Sequence, residues 1–126
     1  MDHTDHTNLL RDGVATPGGV WADFGAGTGT FTLALAELLG PGAEIVAIDR
    51  DTSRLRANEQ AMRTRFPETN ARYVAADFTE ALELPPLDGI VIANALHFAP
   101  DQAHVVELLG SYLGPRGPVT RRGVQH

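Results

Sequence analysis

Four short apolar runs mark the chain, at Val20–Phe24, Ile45–Ile48, Tyr73–Ala76 and Ile90–Ala93. They are too short for core helices, rich in Val and Ile, and only weakly alternating. That is the pattern of strands buried on both faces of a parallel sheet. Between them the apolar positions fall at helical spacing. Over Thr28–Leu39, Phe31, Leu35, Leu38 and Leu39 share a face, and Gly40-Pro41-Gly42 ends the helix. From about Asp51 to Phe66 the stripe is Leu55, Met62 and Phe66, with Arg54, Arg56, Arg63 and Arg65 turned outward. Asp51, Thr52 or Ser53 offers the N-cap, and Pro67 stops the helix. A third pattern runs from about Pro100 to Leu113 on Val105, Val106, Leu109 and Leu113, with His104 on its surface. A short helix over Thr7–Gly13 leads into the first strand. The segment around Pro85-Pro86 leaves room for one helical turn near Thr79–Leu82. Strand–helix alternation at this spacing predicts right-handed βαβ units in an α/β, doubly wound, mainly parallel Rossmann-like sheet.

Composition narrows the chemistry. The 126 residues suit one domain with a core of its own. There is no cysteine, which removes disulfides, zinc-thiolate sites, iron–sulfur clusters and thiol nucleophiles. All ten basic residues are arginine, so Schiff-base chemistry and a P-loop lysine are excluded. The net charge of −6 argues against a nucleic-acid partner. No apolar run has the length of a membrane span, and Met1–Asp12 does not read as a signal peptide. A cytoplasmic protein acting on something small is expected. Asp2, His3, Asp5 and His6 suggest either a metal site or a frayed terminus, and the frayed terminus is the expectation; no metal is expected.

The chemical signal is Val20-Trp21-Ala22-Asp23-Phe24-Gly25-Ala26-Gly27-Thr28-Gly29, at the junction of a strand and a helix. Glycines at alternate positions allow a tight turn and close approach of a ligand. Free N–H groups at the helix start favour an anionic group. A dinucleotide fingerprint wants its third glycine one residue later, at Thr30. Two further carboxylates, Asp49 and Asp77, end the second and third apolar runs. Ligands in open α/β sheets sit at those carboxyl ends.

Together these residues resemble class I S-adenosylmethionine-dependent methyltransferases over about residues 5–114. The resemblance implies S-adenosyl-L-methionine as cofactor and a strand order 3-2-1-4. It implies that the Gly25, Ala26, Gly27, Thr28 and Gly29 backbone receives the methionine moiety and that Asp23 helps to bind its amino group. Asp49 would accept both ribose hydroxyls, and Asp77 and Phe78 would hold the adenine. Arg50 and Asn94 complete the implied cofactor set. The ending Ala95-Leu96-His97 resembles the small-molecule branch, so a small-molecule acceptor is expected. His97 is the candidate general base beside the methyl; the competing reading is a packed histidine at a loop or helix entry.

The chain departs from the family after Gly114. The family sheet continues with strands 5 to 7, whereas Pro118–His126 holds two adjacent arginines and almost no apolar run. Every acidic residue lies at or before Glu107, so charge changes at the same place. The expectation is a domain over 1–114 lacking strands 5–7, an atypical basic tail over 115–126, and a truncated or frame-disrupted product. The fourth strand would then have a bare apolar edge, open to a second copy in a homodimer. Three alternatives stand beside methyl transfer: a non-catalytic cofactor-binding fragment, an NAD-binding domain, and a pure interaction module.

Overall fold

The computed structural model describes residues 3–11, 14, 17–77, 82–93, 110–112 and 119–122. Strand β1 (Val20–Phe24) lies at the centre of a parallel sheet whose order is β3-β2-β1-β4-β5. Its neighbours are β2 (Glu44–Asp49) and β4 (Gly89–Ala93), followed outward by β3 (Asn70–Ala75) and β5 (Val119–Arg122). Every pairing is parallel. The 3-2-1-4 order is the one the resemblance implies.

The weak alternation of the apolar runs has a direct cause. Ala22, Phe24, Val46, Ile48, Ile90 and Ile92 pack on one face of the sheet with Leu87. Trp21, Ile45 and Val91 pack on the other, against Leu35, Leu39 and Met62. Both faces are covered, so apolar residues follow one another, interrupted in the middle of the sheet by Asp23 of β1. Strand β3, at the sheet edge, is only partly buried.

Three helices are described: α1 (His3–Arg11), α2 (Thr30–Leu39) and α3 (Thr52–Arg65). Asp51 is the cap of α3, its carboxylate accepting from the Ser53 and Arg54 amides. The terminus is not frayed from His3 onward. Thr7 Oγ1 donates to the His3 carbonyl, His3 Nε2 lies 3.0 Å from Glu37 Oε1, and Leu10 is fully buried. The helix therefore begins four residues before the expected Thr7, held by packing on α2. Among the described residues no helix is long and apolar enough to cross a membrane.

The C-terminal expectation needs correction. Val119–Arg122 forms a fifth strand, pairing Ile90 with Val119 and Ala93 with Arg122. The edge of β4 is therefore covered, and the argument for a homodimer through it falls away. Side-chain polarity misled the reading because backbone pairing does not depend on it. An unpaired β4 edge attracts any extended backbone in reach, and adjacent arginines suit a strand at the margin of a sheet. Phe78, Asn94, His97, the Thr79–Ala81 part of the expected turn and nearly all of the Pro100–Leu113 helix lie outside the described residues.

One glycine depends on the β1–β4 contact. Gly89 pairs with Trp21, and a Cβ at position 89 would run into the indole ring. Gly89→Ala is expected to lower stability by about 2 kcal/mol through overpacking, read as a drop in the urea midpoint at unchanged slope.

Candidate functional site

The site is built where β1 and β2 end. The chain leaves β1 at Gly25, crosses to β2 and enters α2 at Thr30. The Gly25 and Ala26 amides both donate to the Ile48 carbonyl, at 2.8 and 2.9 Å. The Gly27 amide donates to Asp49 Oδ2 at 2.8 Å, and the Gly29 amide to the Ala26 carbonyl at 3.1 Å. This differs from the expectation of free loop amides, because four of the loop's N–H groups are spent holding its own shape. The helix start remains open, since Gly29 as N-cap supplies no side-chain acceptor.

Two glycines are needed here for different reasons. Gly27 has φ 55°, and a Cβ there would meet nothing within 4 Å, so the loop presents an open face. Gly29 has φ 107°, and a Cβ would stand 3.1 Å from Asn58 Cγ. Backbone conformation and crowding both exclude a side chain at position 29. Gly29→Val is expected to destabilise the chain by about 3 kcal/mol, measurable as a lowered melting temperature.

Asp49 is half-buried and anchors the loop with both oxygens. Oδ2 accepts from Gly27, and Oδ1 accepts from the Asp51 amide at 2.9 Å. Each carboxylate oxygen has a second lone pair, so a diol can still be accepted. Arg50 is exposed beside it, and Asp77 is half-buried two residues beyond β3.

Asp23 is buried beneath the loop, 1% exposed, on the side of β1 that faces α2. Its Oδ2 accepts from Thr32 Oγ1 at 2.6 Å. Thr32 in turn accepts from Asn58 Nδ2 at 3.0 Å, and the same amide group reaches the Gly27 carbonyl at 3.4 Å. Sequence reading missed Thr32 and Asn58, both fully buried. The signal was available: Asn58 interrupts the Leu55–Met62 stripe, three residues after Leu55 and four before Met62.

This buried chain has more acceptors than donors. The Thr32 hydroxyl and both Asn58 amide protons are used. Asp23 Oδ1 and Asn58 Oδ1 remain buried with no hydrogen-bond partner among the described residues. Burial pushes the Asp23 carboxyl up to about 7, the Thr32 hydrogen bond opposes that, and the Asp49 charge adds to it. A site of this kind accepts a cationic, donor-rich group such as an ammonium. The open loop face, the half-buried Asp49 carboxylate and the buried Asp23 carboxylate could together hold a cofactor that carries a diol and an ammonium.

Comparisons with known proteins agree with this geometry. Residues 22–119 match the model of a methyltransferase domain family. The chain is 31% identical over 97 residues to the ubiquinone/menaquinone biosynthesis C-methyltransferase of Pasteurella multocida, covering 75% of this chain and 36% of that protein. It is 31% identical over 87 residues to a cobalt-precorrin-6B C(15)-methyltransferase assignment from Thermoplasma volcanium, covering 69% and 43%. The chain thus spans about two-fifths of the length of the curated relatives it matches. Among solved structures, coclaurine N-methyltransferase bound to N-methylheliamine and SAH superposes with a TM-score of 0.81 at 18% identity, over 91% of this chain and 34% of that one. An S-adenosylmethionine-dependent methyltransferase from Clostridium acetobutylicum gives 0.77 at 15% identity, over 93% and 48%. The sheet order, the glycine turn and the matched span lead to one conclusion: this chain belongs to the class I S-adenosylmethionine-dependent methyltransferase family.

Proposed function

We propose that the chain binds S-adenosyl-L-methionine and transfers its methyl group to a small-molecule acceptor. The observation that carries this reading is Asp23 Oδ1, buried beneath the glycine turn with no hydrogen-bond partner among the described residues. Asp23 accepts the amino group, the Gly25–Gly29 backbone lies along the methionine part, and Asp49 accepts the ribose hydroxyls. Asp77 and Phe78 hold the adenine, and Arg50 and Asn94 complete the cofactor-binding set. When bound, the cofactor supplies a sulfonium methyl open to direct displacement. The protein's contribution is then alignment of the acceptor with that methyl. The small-molecule class is supported by relatives named as C-methyltransferases of ubiquinone/menaquinone biosynthesis and of a cobalt-precorrin.

The deciding experiment is calorimetric titration of the chain with S-adenosylhomocysteine, with NAD as control. Micromolar binding of the first and none of the second is expected. No binding by a chain shown to be folded would overturn the reading. A second reading is a non-catalytic cofactor-binding unit. It predicts binding without turnover in an acceptor screen. His97 is assigned as the general base. With an acceptor in hand, His97→Ala is expected to lower kcat on the order of 100-fold across pH 6–8, and an unchanged kcat removes the role.

A further inference from the structure

We propose that Asn58 is a positioning residue of this site: its carboxamide fixes the direction of the Thr32–Asp23 hydrogen bond and joins it to the Gly27 carbonyl, so that the glycine turn and the Asp23 carboxylate are set together. This rests on the reading of Asp23 as the acceptor for the cofactor's amino group.

The argument starts from the donor count. A hydroxyl has one proton, and its direction is set by what else it must accept. Asn58 Nδ2 donates to Thr32 Oγ1 at 3.0 Å, which leaves the Thr32 proton to point at Asp23 Oδ2 at 2.6 Å. The second Asn58 proton goes to the Gly27 carbonyl at 3.4 Å. One side chain on α3 therefore touches the loop and, through α2, the buried carboxylate on β1. Hydrogen bonds in such a chain polarise one another, and each strengthens the hold on the terminal carboxylate. Asn58 is fully buried, and it stands where the α3 stripe otherwise calls for an apolar residue. Packing alone would be better served by Leu or Ala. Its free Oδ1 lies 3.2 Å from where a Cβ at Gly29 would stand, so the carboxamide also abuts the loop from below.

Among the described residues, the other groups facing Asp23 leave this chain as its main adjustable contact. From β2 the Asp49 carboxylate acts on it through space, and burial raises it. The flanking register positions, Ala47 on β2 and Val91 on β4, are apolar. The α2 and α3 helices present Thr32 and Asn58, which do not titrate.

The test is a carbon-13 carboxyl titration of Asp23 by NMR in the ligand-free chain, with Asn58→Leu, Thr32→Val and the double variant. Asn58→Leu is expected to move the Asp23 midpoint upward by roughly one pH unit. In the Thr32→Val background the same change is expected to add nothing, because the link is already cut. Affinity for S-adenosylhomocysteine is expected to fall roughly tenfold in Asn58→Leu. A purely structural Asn58 would lower the melting temperature and leave the midpoint where it was, and that result overturns the proposal. If Asn58→Leu fails to fold, the unmodified chain still decides. Its Asn58 side-chain amide protons must then titrate with the Asp23 midpoint, and their invariance would overturn the proposal. Coupling in a chain that does not bind S-adenosylhomocysteine supports the positioning role and removes the cofactor reading. Binding without coupling does the reverse.

Discussion

Asp49→Ala is expected to reduce affinity for S-adenosylhomocysteine on the order of 100-fold, about 2.7 kcal/mol. Two losses combine. The acceptor proposed for the ribose disappears, and so do the hydrogen bonds from the Gly27 and Asp51 amides. Hydrogen bonds to a charged acceptor are worth about 1.5–3 kcal/mol each. The Gly27 amide would lose its partner, and the turn would lose its hold on β2. A stability loss on the order of 2 kcal/mol should accompany the loss of binding. Asp49→Asn separates the two effects. One amide oxygen can serve Gly27 or Asp51 but not both in the present geometry, so it should bind with intermediate affinity. Calorimetry beside thermal melting checks both. Full affinity in Asp49→Ala would remove Asp49 from the site.

The second large effect is on pH dependence, through Asp23. Its folded value stands at about 7 against an ordinary 3.8. The folded chain therefore holds a proton over this range that the unfolded chain has released. Stability is fully present below the lower value and is lost as pH rises through the upper one. Between pH 5 and pH 8 the free chain is expected to lose about 3 kcal/mol from this group, measured by urea unfolding at several pH values. Asp23→Asn should flatten that slope and stabilise the chain at pH 8, because a neutral amide can still accept from Thr32. The same variant should bind S-adenosylhomocysteine more weakly, since a charged acceptor holds an ammonium more strongly than a neutral amide does. A more stable chain with a weaker site is what a group kept for binding produces. In the unmodified chain, cofactor binding below pH 7 should release a proton, seen as a dependence of the binding enthalpy on the buffer. Stability that does not change between pH 5 and 8 would count against the buried acid.

The neighbourhood of β1 was legible in the sequence because its constraints are local. Val20–Phe24 is apolar at every position but Asp23 because both sheet faces are covered, and that pattern survives in one dimension. The glycine turn was legible because positive φ at Gly25, Gly27 and Gly29 demands a residue type that sequence reports directly. Thr32 and Asn58 were not legible as a pair. They are 26 residues apart, and only the packing of α2 against α3 brings them to 3.0 Å. The inward turning of the loop amides was equally hidden, since it depends on the Ile48 carbonyl lying across the sheet.

The sequence by itself determined the α/β class and the glycine turn after β1, because periodicity, chain punctuation and glycine are properties of consecutive residues; the 3-2-1-4 order came with the family resemblance. The tertiary structure decided which polar groups are spent on the fold and which stay without a partner among the described residues. It also decided that Val119–Arg122 joins the sheet, against the polarity of its residues. The physical reason is the same in both cases. A hydrogen bond between distant backbone or side-chain groups is set by where neighbouring elements bring donors and acceptors together, and composition along the chain carries no record of that.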